Sequence, residues 1–527
     1  MRLSALTINP SYFSEPETLD TSAACQLLRF NRVGYERAHD WATDFPEGIC
    51  MVMGKVHDVL ASHVFMPLMH VQQAIRPSRR PVARSYREGM NFRRESLAWS
   101  EEQKREWILS RLRFSVRRAY EETSYYQDLF KEIGFDPYAN FGFDDFSRLP
   151  VLEKDDIQKA EGRLVTNTLA PAQLRRDSTG GSTGIPTVIW RGPEEQGWYL
   201  SGHESFHRQI GVPEGTRKAA LWGHHLDPKA NDGFLNRVLA FASNTRWFDC
   251  FRLSADLLER CHEQFERFRP VCIIAYASAL GHLAEHILES GYRPSYPTHC
   301  FVTGAEKLLP AHRQKIEQAF GHRPVHERYG SRDIGPIGYQ LDPDHTLDYE
   351  IDWSNLLIEP ETNGADTDIL VTKLHADGMP MIRYSIGDVG LFPSGSRPGC
   401  PSFILREVLG RTTERIWLPN GNWIHGIQLP HLMKAHPVRE YMFLQHPDHS
   451  VDLKIVAKSG FTEESQNLIE ATLAANLPGL DIRITLVDEI PKTKAGKWRP
   501  VVSEVDPSTC WPTGSDDTQI APTRAGC

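Results

Sequence analysis

Cysteine is scarce in this chain: nine among 527 residues, an odd number with no CxxC pair. That argues against a disulfide scaffold or a zinc module and suits reduced thiols in the cytoplasm. An excess of positive charge is also missing. Lys and Arg number 59 against 68 Asp and Glu, a net charge of −9, so the electrostatic footprint of a nucleic-acid binder is absent. No run approaches the ~18 apolar residues of a membrane span. The amino terminus, MRLSALTINPSYF, has no apolar segment of the signal-peptide kind. Internal repeats are lacking. What remains is ordinary globular composition, 40% hydrophobic and 24% charged, in a chain long enough for two or more domains.

Residues 1–90 are the least legible. The apolar stretch Val56–Met69 precedes a basic, Pro-containing run, Arg76–Arg87, which reads as a solvated connector rather than a nucleic-acid patch. From Ser100 the pattern sharpens: Ile108, Leu112, Val116 and Ala119 recur at helical spacing. Arg148-Leu149-Pro150 breaks it. The middle alternates. Val271–Ala275 reads as a strand, and Leu280, Leu283, Ile287 and Leu288 as a helical face ended by Gly291. Cys300–Thr303 reads as a strand, and Pro310 opens a helix through Phe320. That order predicts a parallel sheet covered by helices, an α/β fold. Later, Leu453, Ile455 and Ala457 alternate, as do Ile482, Ile484 and Leu486. Between them a helix starts at Thr462 and stops before Pro478. This predicts a separate small α+β domain. The tail from Asp506, rich in Ser, Thr, Pro and Asp, reads as disordered.

The most informative segment is Asp177–Pro186, DSTGGSTGIP. Ser178, Thr179, Gly180, Gly181, Ser182, Thr183 and Gly184 offer backbone N–H groups and hydroxyls with little bulk, as wrapping phosphate oxygens requires. A Walker loop would need a Lys after the glycines, and none follows. A flexible Ser/Gly linker is the alternative; the strand-like Thr187–Trp190 favours an ordered loop. Four more clusters follow: Thr303-Gly304-Ala305-Glu306; Tyr329-Gly330-Ser331-Arg332-Asp333; Tyr384-Ser385-Ile386-Gly387-Asp388; and Pro491-Lys492-Thr493-Lys494-Ala495-Gly496-Lys497.

In order and spacing these segments resemble the core motifs of the adenylate-forming superfamily of acyl-CoA ligases, adenylation domains and luciferases. Tyr125-Tyr126, Leu149-Pro150-Val151-Leu152-Glu153-Lys154 and Ala275–Leu280 look like the phenylacetate–CoA ligase and capsular-polysaccharide (CapK-like) branch. The likeness runs from about Ser100 to Val505. It implies a large ATP- and acyl-binding domain (91–409) and a small lid domain (410–505) that rotates about a hinge. Residues 1–90 would be an extension of unassigned role and 506–527 a disordered tail. It further implies that Ser178–Gly184 closes over ATP phosphates. Ala305, Glu306, Tyr329 and Gly330 would wall the adenine. Asp388, an acceptor-only carboxylate suited to two hydroxyl donors, would hold the ribose with Arg411. Lys497 would be the catalytic lysine, offsetting charge on the phosphoryl oxygens.

Two positions depart from the family pattern. Asp333 stands where a magnesium-binding Glu is usual; it is one methylene shorter and still a hard oxygen ligand. Thr413 stands at the hinge, where Asp or Lys is usual. Gly338-Tyr339-Gln340 carries no cysteine, so no structural zinc is expected. Trp222, His224, His225 and Tyr276 fall where the family's acyl pocket lies, with packing roles an open alternative. The resemblance implies ATP, Mg2+ and a small carboxylic acid, with coenzyme A as the acceptor. An amine acceptor, AMP transfer, and an inactive ATP-binding scaffold are the alternatives. The acid and the oligomeric state are left open.

Overall fold

The computed structural model describes residues 61, 66, 80–178, 187–222, 244–250, 254–363, 366–411, 415–419, 423–425, 429–433, 436–490 and 500–505. Backbone placement alone is described at a few of these, among them Ser178, Asp249, Asp366 and Arg411.

The largest element is an eight-stranded mixed sheet. Across it run Ile404–Leu405, Tyr349–Ile351, Gly335–Tyr339, Val325–Ser331, Cys300–Gly304, Cys272–Tyr276, Lys218–Trp222 and Thr245–Asp249. The last five are parallel, and the first three close the other edge antiparallel. Apolar residues alternate between two faces, as strands buried on both sides require. One face packs Ala219, Ile273, Phe301 and Val325 against the helices Ala255–Phe268, Ala277–Ser290 and Pro310–Phe320. The other packs Cys272, Cys300 and Val302 against Phe206 and Ile210, at the end of helix Pro193–Gln209. The α/β layering expected from the strand–helix alternation is therefore present. The expected helix stops are too: Gly291 takes the left-handed conformation that glycine alone adopts without cost, at φ 69°.

A second sheet is antiparallel: Leu356–Pro360, Asp366–Lys373, Tyr384–Leu391 and Glu407–Arg411. Its core is shared with helix Glu101–Glu122, through Ile108, Leu112, Val116 and Ala119. Ser100 opens that helix with a capping box to Gln103, and Glu101 and Glu102 complement its dipole. The carboxy-terminal four-stranded sheet runs Ile482–Leu486, Val451–Ala457, Val438–Gln445, Val501–Ser503. Helix Glu463–Asn476, capped by Thr462, covers it through Ile469 and Leu473.

The run Arg76–Arg87 was expected to be a solvated connector. From Arg80 it is a helix, Arg80–Glu95, packed on helix Pro193–Gln209. Its arginines at 80, 84 and 87 are exposed while Ser85 and Gly89 are buried. Contact depends on small residues: a β-carbon at Gly197 would lie 2.5 Å from Ser85 Cβ and 2.6 Å from Tyr86 N. Arg93 closes the crossing, with Nη2 at 2.9 and 2.8 Å from the two Asp352 carboxylate oxygens and Nη1 at 2.6 Å from Ser201 Oγ. The basic run misleads because its charges occupy only the outer face.

Glu194 ties helix Pro193–Gln209 to helix Glu101–Glu122. Arg118 Nη1 lies 2.8 Å from its Oε2, and Arg111 and His375 meet its Oε1. Burial pushes this carboxyl up, but His375, Arg111 and Arg118 together outweigh burial and hold it down at about 2, from an ordinary 4.5. A depressed carboxyl contributes stability that is complete above the unfolded value and is lost as pH falls through the folded one. Chemical denaturation should therefore show stability from this group falling between pH 4.5 and about 2. Glu194→Gln should flatten the slope in that window; equal slopes in parent and variant would remove Glu194 from this role.

Candidate functional site

Ligands of parallel α/β sheets bind in the crevice beyond the carboxyl ends of the strands. Here Trp222, Tyr276, Gly304 and the Tyr329–Asp333 segment all sit at those ends. On one side, Tyr329 is buried and its hydroxyl donates to Asp388 Oδ2 at 2.9 Å. Asp388 is directly opposite Arg411 in the antiparallel register. Residues 59 positions apart in sequence are thus joined by one hydrogen bond. Asp333 is buried, and its Oδ2 accepts the Tyr384 hydroxyl at 2.7 Å, leaving Oδ1 for another partner. Mg2+ takes one or two carboxylates alongside phosphates and waters, and a carboxylate with one free oxygen fits that demand.

Ala305 has φ +66°, an uncommon conformation for a residue with a side chain. The turn brings Glu306 back so that its Oε2 accepts the Ser278 N–H at 3.1 Å, near the start of helix Ala277–Ser290. The carboxylate read as part of an adenine wall is thus also the helix's negative cap.

The Ser/Thr/Gly loop is carried by a hairpin, Arg175–Ser178 paired antiparallel with Val188–Arg191. Its root is clamped by Arg191, 8% exposed. Arg191 contacts the Asp177 carboxylate on the facing strand and donates Nε to Glu195 Oε1 at 3.1 Å. Its Nη2 meets the backbone carbonyl oxygens of Arg332 and, at 3.2 Å, Asp333. Lys373 Nζ meets the same Glu195 Oε1 at 2.8 Å. Burial lowers the Lys373 ammonium, with Glu195 opposing.

On the opposite side, the Trp222 and Tyr276 rings stack at 4.5 Å and 14°. They therefore form a closed wall, not a slot between two rings. The Arg328 guanidinium lies 5.4 Å from the Trp222 ring centroid and 3.4 Å from His203 Nδ1. Burial, and then Arg328, push His203 well below its usual range. The imidazole is neutral, and Nδ1 accepts from Arg328.

Of the expected site residues, Ala305, Glu306, Tyr329, Gly330, Asp333, Asp388, Trp222 and Tyr276 are described with their side chains. Ser178 and Arg411 are placed by backbone alone. Thr179–Gly184, His224, Thr413 and Lys497 lie outside the described residues, as does the tail from Asp506. Among the described residues no three His, Cys, Asp or Glu side chains converge as a metal cluster, and no helix is long and apolar enough to cross a membrane.

Comparison with known proteins bears on up to about three quarters of the chain. Residues 416–504 match the CapK C-terminal domain family. Protein CapK of Staphylococcus aureus is 21% identical over 68% of this chain and 80% of its own length. A phenylacetate–coenzyme A ligase of Thermus thermophilus is 23% identical over 74% of this chain and 94% of its own. A 2-hydroxyisobutyryl-CoA ligase, solved in the postadenylation state with 2-HIB-AMP, shares the fold. Its TM-score is 0.58 at 17% identity, covering 77% of this chain and 90% of that one. The carboxy-terminal region thus matches the CapK C-terminal domain, and the chain is similar in sequence to CapK and to phenylacetate–coenzyme A ligases and in fold to a CoA ligase.

Sequence reasoning missed four members of this candidate site: Arg191, Lys373, His203 and Arg328. Arg328 directly precedes the tyrosine of the YGSRD motif, so its place at the strand end was legible. The others carry no motif; their importance comes from contacts with residues far away in sequence.

Two outcomes follow from this geometry. Arg191→Met leaves Glu195 with Lys373 as its cation and Asp177 with the exposed Arg175; breaking a buried ion pair costs about 3–5 kcal/mol, and with these remaining partners thermal or urea denaturation should register a smaller loss. Tyr329→Phe deletes one hydrogen bond to a carboxylate, about 1.5–3 kcal/mol. Urea denaturation should register that loss of stability.

Proposed function

We propose that the chain activates a carboxylic acid as an acyl adenylate and transfers the acyl group to coenzyme A. The observation that carries this reading is the Tyr329–Asp388 hydrogen bond, with Asp388 in register with Arg411. It assembles an aromatic wall, a ribose-type acceptor and the strand of the partner arginine at the mouth of the sheet. In this reading a carboxylate oxygen of the acid attacks the α-phosphorus, and the bond to the β-phosphate bridging oxygen breaks. Pyrophosphate leaves. The Ser178–Gly184 loop holds the β- and γ-phosphates, and Lys497 offsets charge on the α-phosphate and acid carboxylate. Mg2+ would be held by Asp333 and the phosphates, and would offset phosphate charge. The lid domain, 410–505, then turns about Thr413. The coenzyme A thiol loses its proton, its sulfur attacks the acyl carbonyl, and AMP departs. The reaction belongs to the cytoplasm, where nine thiols stay reduced.

The names of the relatives support the reading: phenylacetate–coenzyme A ligases among the sequence relatives, and a CoA ligase with an acyl-AMP ligand among the folds. Pyrophosphate release from ATP and Mg2+ across aryl, alkyl and amino acids tests it, with coenzyme A and amines in separate arms. The expected result is release with some acid, raised to turnover by coenzyme A. Lys497→Ala should lower release by roughly 10²–10³-fold while ATP still binds. Asp388→Ala should weaken ATP binding by about tenfold or more. Normal release in Lys497→Ala would overturn the mechanism, and turnover with amines alone would replace coenzyme A as acceptor.

A further inference from the structure

Four parallel strands end in one row. Tyr276 pairs with Gly304, and Gly304 with Arg328. Leu221 pairs with Ala275, so Trp222 falls beside Tyr276. Residues in register on parallel strands point to the same face, and from it Arg328 meets His203 of helix Pro193–Gln209. Gly304 contributes no side chain, and the Arg328 side chain lies across that gap. A β-carbon at 304 would stand 3.5 and 3.7 Å from Arg328 Nε and Nη2. The guanidinium thereby reaches the Trp222 ring and the neutral His203.

Among the described residues no carboxylate pairs with Arg328. A half-buried guanidinium is normally matched by an anion, because its charge is costly away from water. Behind it, two buried polar atoms lack hydrogen-bond partners: His207 Nε2 and Tyr339 Oη. Both groups feel the Arg328 charge. Buried polar groups left unpaired ask for an explanation, and these two feel a guanidinium that His203 and the Trp222 ring meet without neutralising; that unmatched cation, at the carboxyl ends of the strands, points to an anionic ligand in the crevice there. Within the ligase reading, on which this inference rests, that crevice is where the acyl chain of the acid goes.

We propose that Arg328 is a specificity residue that binds a second anionic group on the acid, so that the preferred substrates are dianionic acids. Arg328 suits this task because its planar fork bonds a carboxylate through two parallel N–H groups. The stacked Trp222 and Tyr276 rings form the apolar wall along the carbon skeleton between the two charged ends. Bulk at position 304 would take the space that the guanidinium occupies.

The test compares matched acids: butanoate with butanedioate, and benzoate with benzene-1,4-dicarboxylate. Pyrophosphate release with ATP and Mg2+ gives the ratio of kcat/KM, dianion over monoanion. In the parent protein the ratio should favour the dianion. Arg328→Met should lower it roughly tenfold to a hundredfold. Arg328→Lys, which keeps the charge without the fork, should fall between the two and carries the test if Arg328→Met does not fold. A parent ratio at or below one, or a ratio the variants leave in place, overturns this inference alone. Silence with every acid overturns the ligase reading and this inference with it.

Discussion

The candidate site depends on one buried guanidinium. Arg191 joins the two strands of the loop-bearing hairpin, the first turns of helix Pro193–Gln209 through Glu195, and the backbone of Arg332 and Asp333. Lys373 brings in the second sheet through the same Glu195 oxygen. Two cations face Glu195 and Asp177, so charge nearly balances at this junction. The balance is needed because isolated charges are unaffordable in such a place. Glu195 Oε2 has no partner, so the junction is not fully satisfied. Its geometric effect is plain: Arg191 fixes the end of the hairpin against the Arg332 and Asp333 carbonyls, a contact that hydrophobic residues of equal volume would not make.

From that junction a line of contacts runs along one helix face. Glu195, Tyr199, His203 and His207 are spaced four residues apart, which places them on one stripe of helix Pro193–Gln209. The Arg191 guanidinium sits 5.7 Å from the Tyr199 ring centroid. Tyr199 and His203 meet edge-on at 4.9 Å, and His203 reaches Arg328. The helix thus lays a polar stripe from the root of the Arg175–Arg191 hairpin to the aromatic wall. Its buried Trp198 and Phe206 lie off that stripe and do the packing.

Much of the fold was legible because local rules and tertiary demands agree. Thr462 and Gly291 are helix punctuation with a local mechanism, and each sits where the pattern put it. The parallel strands read as short apolar runs because both faces are covered. The run Arg76–Arg87 misled because charge alone does not report a buried stripe of Ser85 and Gly89. Motif reading singled out Tyr329 and Asp388 because each lies inside a recognisable segment, and the fold joins them by one hydrogen bond. Arg191 and Lys373 were invisible: an isolated cation in a strand becomes informative only once the fold brings its carboxylate near.

The same logic explains why Glu306 could be found while its second duty could not. Its motif marks the strand end, but its bond to the Ser278 N–H requires the helix start to return beside that end. Parallel topology enforces this return, since each crossover helix begins where the preceding strand stops. The left-handed Ala305 sets the direction of the turn. One carboxylate then fixes the start of helix Ala277–Ser290 against the next strand's loop. Tyr276, the residue before that helix, is held in turn against Trp222. The aromatic wall on one side of the crevice and the Ala305–Glu306 turn beside it are therefore linked through the start of one helix, by the Glu306–Ser278 bond on one side and the Tyr276–Trp222 stack on the other.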